Sequence, residues 1–153
     1  KEGFSTAIYL YATNYKTLFG AKNSFEVKTE GNHPNVGKTN KIDYLQISGN
    51  SDKEKRRIFS LIVDIANGKI KGPIYLHCWN GWHQSGYISS VILRQFCDVT
   101  AEQAFDYWMQ NTDGVNKGYE NVKAKVKEFK PIPGYSLPED VKKEACPCLN
   151  SNN

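Results

Sequence analysis

A cysteine at the end of an apolar segment is the residue of this chain best placed for chemistry. Cys78 and His77 follow Ile74-Tyr75-Leu76, which is typical of a β-strand, and precede a glycine-containing loop. Beyond the loop, apolar residues at three- and four-residue spacing predict a helix: Ile88, Val91, Ile92 and Phe96. Backbone N–H groups of such a loop, with the positive end of the helix dipole, attract an anion and favour a thiolate. The sequence therefore predicts an anion-binding loop around a nucleophilic cysteine.

The neighbours of Cys78 decide between two roles for it. A cysteine at a strand end is, by itself, more often a buried core residue. His77, Gly81, Ser85 and Gly86 favour the anion loop instead. Gly81 in particular permits a left-handed turn or a close approach of the backbone to a ligand.

The spacing of these residues resembles the phosphate-binding loop of the cysteine-dependent protein phosphatases. That pattern is His-Cys, five residues, Arg, Ser or Thr, and Gly, and here it falls on residues 77–86. Upstream, Ile47-Ser48-Gly49-Asn50 and Pro73-Ile74 extend the resemblance over about residues 42–130, where the chain looks most like the atypical dual-specificity phosphatases. The resemblance implies a protein tyrosine phosphatase-like fold and no cofactor.

The resemblance also implies a role for each residue of the loop. Cys78 is the nucleophile, His77 orients the loop and helps to hold the thiolate, and the Ser85 hydroxyl eases departure of the sulfur from a phosphocysteine intermediate. Gly86 supports the loop. The residues expected to contact the anion are Trp79, Asn80, Gly81, Trp82, His83 and Gln84.

Gln84 stands where the phosphatase pattern has arginine, and Trp82 stands where a basic residue is common in that subfamily. A guanidinium binds two equatorial oxygens of the transferring phosphoryl group with a planar, permanently charged fork. A glutamine amide donates hydrogen bonds from a similar place without the charge. Loss of one preorganised donor costs on the order of 10²–10³ in turnover, so we expect weak catalysis.

Four side chains near the loop have two possible roles each. His83 either supplies part of the missing charge and donates a proton, or is a surface-loop residue. Asp52 is the candidate general acid by position, or simply a first-turn carboxylate that interacts with a helix dipole. Trp79, like Trp82, lines an aromatic entrance or packs on the adjacent surface.

Two functions are compatible with these residues. The first is a cysteine-dependent phosphatase that hydrolyses a phosphate monoester through phosphocysteine, with low or atypical activity. The second is a pseudophosphatase that binds phosphorylated ligands or anions without efficient chemistry. A metal or redox site of Cys78 with His77, His83 or Cys97 has little support in the spacing, and no metal is predicted.

The elements that position the loop follow from local patterns. Ser51 with Glu54, and Thr100 with Gln103, have capping-box spacing and predict helix starts. Strands interleaved with helices indicate an α/β fold, which the resemblance narrows to a central, mainly parallel sheet of four or five strands flanked by helices. We expect one domain over residues 1–135 and a tail over 136–153. Further strands are predicted at 4–13, 24–29 and 42–47, turns at 31–41 and a helix at 119–129.

Whole-chain properties limit the partners. The chain has 153 residues and 39% hydrophobic content, enough for one buried core. It has no apolar run that could span a bilayer, and its net charge of +4 is modest, so we expect neither a membrane nor a nucleic acid as partner. We expect a monomer that binds a phosphorylated protein or a small phosphorylated molecule. Because the chain starts at Lys1, both a cytoplasmic location and secretion after signal removal stay open.

The other cysteines do not form a recognisable disulfide framework. Cys97 follows Phe96 and is expected to be a small core residue. Cys146 and Cys148 flank Pro147 and are expected in a solvated tail, with metal binding or oxidation as the alternative.

Overall fold

The structure, a computed structural model, describes residues 4–10, 22–28 and 39–146. Strands and helices alternate along this part of the chain. The strands are β1 Thr6–Tyr9, β2 Lys22–Lys28, β3 Thr39–Gln46 and β4 Ile74–His77. The helices are α1 Asp52–Ala66, α2 His83–Phe96, α3 Ala101–Gln110, α4 Glu120–Glu128 and α5 Glu139–Ala145.

The described strands form one sheet in the order β2-β3-β1-β4. β1 pairs in parallel with both β3 and β4, so that Tyr9 lies opposite Gln46 and His77, whereas β2 is antiparallel to β3. The prediction of an α/β fold is confirmed at this level, with three parallel strands. Because the carboxyl ends of parallel strands meet at one edge, the segments after β3 and β4 are brought together there.

The core lies between the sheet and the helices. Phe59 of α1 is buried and its ring makes an edge contact with that of Phe96 of α2, with centroids 5.3 Å apart. The other large, fully buried side chains come from the sheet region and from α1, α2, α3 and α4: Ile8, Leu10, Ile47, Ile58, Ile88, Val91, Trp108 and Val126. None of the described helices is long and apolar enough to cross a membrane.

Both predicted capping boxes are present. The Ser51 hydroxyl accepts from the N–H of Glu54, whose carboxylate accepts from the N–H of Ser51, and α1 begins at the next residue, Asp52. Thr100 and Gln103 make the same reciprocal pair before α3. These helix starts were readable from the sequence because each depends on residues three positions apart.

Residues 39–41 have a composition typical of turns, but they pair with a neighbouring strand. We predicted turns from 31 to 41, but Thr39–Lys41 belong to β3, where they pair with Lys28, Val27 and Glu26 of β2. The prediction was wrong for these residues because a partner strand supplies hydrogen bonds that local sequence does not reveal. The rest of that predicted turn, residues 31–38, lies outside the described residues.

A disulfide corrects the prediction for the cysteines. Cys97, at the end of α2, is bonded to Cys146, 49 positions later. Cys97 is therefore not a free core residue, and Cys146 is oxidised, which was the alternative to the expected solvated tail. The predicted tail contains α5, whose Lys142 makes an ion pair with Asp98 beside the disulfide. The pairing escaped the sequence analysis because it joins segments that only the fold brings together. Cys148 lies outside the described residues.

Candidate functional site

The loop after β4 has the form expected of an anion-binding loop. β4 ends at His77, Cys78 is buried directly after it, and α2 begins at His83. Gly81 within the loop has a φ of 79°, in the left-handed region that glycine adopts at little cost. The N-cap residue of α2, Trp82, makes no side-chain capping hydrogen bond. No cap side chain therefore competes for the first N–H groups of α2.

The loop stabilises the thiolate form of Cys78. Burial by itself raises the pKa of this thiol, but the Ser85 hydroxyl and the backbone N–H groups of Ser85, Gly81 and Gln84 lower it by more, and the net pKa is below the ordinary value. The sulfur lies 3.4 Å from Oγ of Ser85. These donors converge on one point, so the loop can hold negative charge there.

His77 is held at the end of β4 by aromatic side chains. Its Nε2 lies 3.1 Å from the hydroxyl of Tyr44, and its ring stacks on Tyr75 with centroids 5.3 Å apart. The ring of Tyr9 lies 5.0 Å away. Burial lowers the pKa of His77, partly opposed by a hydrogen bond with the backbone of Cys78. The neutral imidazole is favoured, so these contacts support an orienting role for His77 rather than a charged one.

A pocket of about 410 Å³ includes the loop and the start of α4. Its walls include Tyr119 and Val122, which the sequence analysis did not identify. Their helical spacing indicated a packed face of α4, and no local signal connected that face to the loop. Trp79 is 74% exposed. The described lining consists of Cys78, Trp79, Asn80, His83, Gln84, Tyr119 and Val122.

His83 is anchored against the wall of this pocket. Its ring stacks on Tyr119, with centroids 3.5 Å apart and planes 12° from parallel. Its Nε2 lies 2.6 Å from the carbonyl oxygen of Val115, and because a carbonyl only accepts, Nε2 carries a proton. Its own carbonyl accepts from Nε1 of Trp108 at 3.1 Å. These contacts fix the orientation of the imidazole at the pocket wall.

The side chain of Gln84 binds a neighbouring turn. Nε2 donates to the carbonyl oxygen of Ser48 at 2.5 Å and to Oδ1 of Asn50 at 3.3 Å. Only the backbone N–H of Gln84 is directed at Cys78. The residue at the arginine position of the phosphatase pattern thus connects the loop to the segment after β3.

The turn that receives Gln84 is itself held firmly. The hydroxyl of Ser48 donates to the carboxylate of Glu54 at 2.9 Å, and the backbone N–H of Ser51 donates to the same carboxylate at 3.1 Å. Burial raises the pKa of Glu54, but these hydrogen bonds lower it by more. Gly49 has a φ of 72°, and a β-carbon there would clash with Cδ1 of Ile88 in α2. The turn therefore lies close against α2.

The pocket lining does not include six residues of the predicted site: Asp52, His77, Gly81, Trp82, Ser85 and Gly86. Asp52 has a side chain 75% exposed and pairs with Nζ of Lys55 at 3.1 Å. Trp82 is half-buried and its ring makes an edge contact with His83. Gly86 is buried, and a β-carbon there would lie 3.2 Å from Cδ1 of Trp108, so Gly86 lets α2 approach α3 closely.

No known family model, curated protein or solved structure matches the chain. Within the part of the chain that the structure describes, no group of three His, Cys, Asp or Glu side chains is arranged to hold a metal ion.

Proposed function

We propose that this chain is a protein tyrosine phosphatase-like, cysteine-dependent hydrolase that cleaves a phosphate monoester at Cys78, with low or atypical activity. The observation that carries the proposal is the convergence of N–H groups from Gly81, Gln84 and Ser85, with the Ser85 hydroxyl, on the sulfur. The same donors that hold a thiolate hold the oxygens of a tetrahedral anion beside it.

The proposed reaction has two steps. The thiolate of Cys78 attacks phosphorus, an S–P bond forms, and the bond from phosphorus to the ester oxygen breaks. A general acid gives the leaving oxygen its proton. Water then attacks phosphorus and gives a proton back to the same group, the S–P bond breaks, and inorganic phosphate leaves. The Ser85 hydroxyl, 3.4 Å from the sulfur, stabilises the thiolate as it departs.

His83 fits the role of general acid better than Asp52. His83 lines the pocket with Cys78, and its imidazole is held there by the carbonyl of Val115 and the ring of Tyr119. Asp52 is not among the lining residues and is paired with Lys55. We expect His83→Gln to slow hydrolysis of an alkyl phosphate more than that of a nitrophenyl phosphate, whose leaving group needs no proton.

Turnover of an aryl phosphate by the purified chain tests the proposal. Activity should disappear in Cys78→Ser, because the hydroxyl does not ionise as the thiol does. Phosphate captured on Cys78 in rapid-quench samples, detected by mass spectrometry, identifies the intermediate. Turnover that survives in Cys78→Ser would refute the cysteine route.

A binding module is the second candidate, and one observation favours it. The carboxamide of Gln84 donates to Ser48 and Asn50, so this side chain gives the loop ligand no clamp in the observed arrangement. A pseudophosphatase would bind a phosphorylated protein or small molecule on the backbone N–H groups and release it unchanged. Binding of phosphate without turnover separates this function from the first.

The disulfide bears on where the protein works. We propose an oxidising compartment, because a disulfide such as Cys97–Cys146 persists there and is rare in a reducing cytosol. Peptide mapping of protein alkylated at harvest from its native source, without reductant, should find these two cysteines linked. Recovery of both as alkylated thiols would refute the proposal.

A further inference from the structure

We infer that Glu54 of α1 is a positioning residue for the thiolate of Cys78, and that it acts through the turn at residues 48–50 and the side chain of Gln84. The inference rests on the proposed function, in which the loop presents a thiolate. It adds a residue that is not part of the described pocket lining. Three contacts, taken in order from α1 to the loop, lead to it.

The first contact joins Glu54 to the 48–50 turn. Both carboxylate oxygens of Glu54 lie 2.9 Å from the hydroxyl of Ser48, and the N–H of Ser48 donates to one of them at 3.3 Å. Ser48 is only 4% exposed, and a buried donor that loses its acceptor is costly. The turn is therefore held where Ser48 can reach the carboxylate.

The second contact joins the turn to the side chain of Gln84. Its Nε2 donates to the carbonyl oxygen of Ser48 and to Oδ1 of Asn50. Ser48 thus binds Glu54 through its hydroxyl and N–H, and Gln84 through its carbonyl. The carbonyl oxygen of Asn50 accepts from Nζ of Lys55 at 3.1 Å. Two neighbouring residues of α1 therefore fix both acceptors of the Gln84 amide.

The third contact joins the first turn of α2 to the sulfur. The N–H groups of Gln84 and Ser85 in this turn donate to Cys78. Helix ends fray, and the N-cap residue Trp82 makes no side-chain capping hydrogen bond. Side-chain contacts such as that of Gln84 therefore decide where these N–H groups lie. Displacement of the 48–50 turn should move them and weaken their hydrogen bonds to the thiolate.

The direction of the effect separates positioning from simple charge repulsion. The pKa of Glu54 lies below its ordinary value, so this side chain is a carboxylate at neutral pH. If it acted on Cys78 only as a negative charge, its removal would lower the pKa of the thiol. If it positions the N–H donors, its removal weakens hydrogen bonds to the thiolate and raises that pKa.

Two variants remove the contact between α1 and the turn in different ways. Glu54→Gln removes the charge, but its single carbonyl oxygen can still accept from the N–H of Ser51 and preserve the start of α1, as the carbonyl oxygen of Gln103 does at α3. Ser48→Ala removes the hydroxyl and leaves the charge of Glu54 in place. Each should raise the pKa of Cys78 by about 0.5–1, because donors to a charged group are weakened.

The rate of alkylation of Cys78 by iodoacetamide against pH measures this pKa. The native, disulfide-bonded chain is used, and the Cys78 peptide is quantified by mass spectrometry. The control Gln103→Ala removes the capping box of α3 and should lower the free energy of unfolding in urea without changing the pKa of Cys78. This control shows that loss of a helix cap elsewhere does not produce the effect.

A double variant tests the route through Gln84. Gln84→Met alone should raise the pKa of Cys78, because it removes the anchor of the first turn of α2. Adding Glu54→Gln to Gln84→Met should then produce almost no further rise, since both changes break the same connection. A residue that only stabilised α1 would lower the free energy of unfolding in both backgrounds and leave the pKa of Cys78 unchanged.

The other outcomes overturn the inference. An unchanged or lowered pKa of Cys78 in folded Glu54→Gln or Ser48→Ala refutes positioning by Glu54 and leaves the proposed function standing. So does an equal rise in Gln103→Ala, or a full second rise when Glu54→Gln is added to Gln84→Met. If the pKa of Cys78 in the native chain is no lower than in the urea-unfolded chain, the loop does not stabilise a thiolate. The proposed function and the inference then fail together.

Discussion

Replacement of Gln84 by arginine measures how far one side chain limits the chemistry of the loop. In the native chain this side chain makes two hydrogen bonds, to Ser48 and Asn50, at 2.5 and 3.3 Å. Arginine is longer, and its planar cation can leave these acceptors and bind two oxygens of a phosphate in the loop. The substitution should therefore remove a structural connection and add a charged clamp.

The substitution should lower the stability of the fold and raise the rate of hydrolysis, and the two changes can be estimated separately. Each hydrogen bond contributes about 0.5–1.5 kcal/mol net, so loss of both should lower the free energy of unfolding by about 1–3 kcal/mol. One preorganised donor changes turnover by about 10²–10³, so aryl phosphate hydrolysis should rise at least about 100-fold, equivalent to about 2.7 kcal/mol of barrier. A less stable and faster protein is the expected result.

The assay compares the native chain, Gln84→Arg and Gln84→Met by aryl phosphate turnover and by urea unfolding. Gln84→Met is the matched control, because it removes both hydrogen bonds to Ser48 and Asn50 without adding charge. It should lose the same stability and gain no rate. The gain of Gln84→Arg should vanish when Cys78→Ser is added, because the phosphocysteine route needs the thiolate.

Two results would contradict this reasoning. A folded Gln84→Arg variant that binds phosphate more tightly without turnover means that another catalytic group is missing, and it favours the binding module. If the native chain is faster than Gln84→Arg, Gln84 serves the reaction itself. The glutamine at the arginine position is then an adaptation and not a loss.

The remaining predictions concern the thiol, its anion and the disulfide. Ser85→Ala should raise the pKa of Cys78, because it removes a donor that lowers it; alkylation rate against pH measures this, and an unmoved profile would contradict it. The pKa of the Cys78 thiol is lower in the folded than in the unfolded chain, so its ionisation stabilises the fold. This contribution is fully present above the pKa of the unfolded chain and is lost as pH falls through the pKa of the folded one. Urea unfolding at several pH values would detect the loss. Sulfate at about 100 times its dissociation constant should stabilise the native chain by about 2.7 kcal/mol but not a chain alkylated at Cys78; equal stabilisation of both would place the ion elsewhere. Replacing Cys97 and Cys146 by alanine opens a loop of 49 positions and should lower the free energy of unfolding in urea by about 4 kcal/mol. The control Lys142→Ala, next to the disulfide, should lower it far less. Similar losses in both variants would argue against the disulfide.

Much of the loop could be predicted from the sequence because its determinants are local. Gly81 has the left-handed conformation expected of a glycine at that point, and Ser85 lies within reach of Cys78, since α2 begins between them. The starts of α1 and α3 depend on residues three positions apart, which chain connectivity alone holds near each other. Interactions of this range leave a direct pattern in the order of residues.

Tertiary structure alone decided the surroundings of the loop. Tyr119 lines the pocket because α4 packs near α2. The amide of Gln84 donates to Ser48 because β3 and β4 end at one edge of the sheet. Cys97 is bonded to Cys146, 49 positions later in the chain. The sequence pattern could state that Gln84 lacks a charge, but it could not state where its amide points. Which acceptor a side chain binds depends on its distance from that acceptor, and this distance is set only when the sheet and helices have packed.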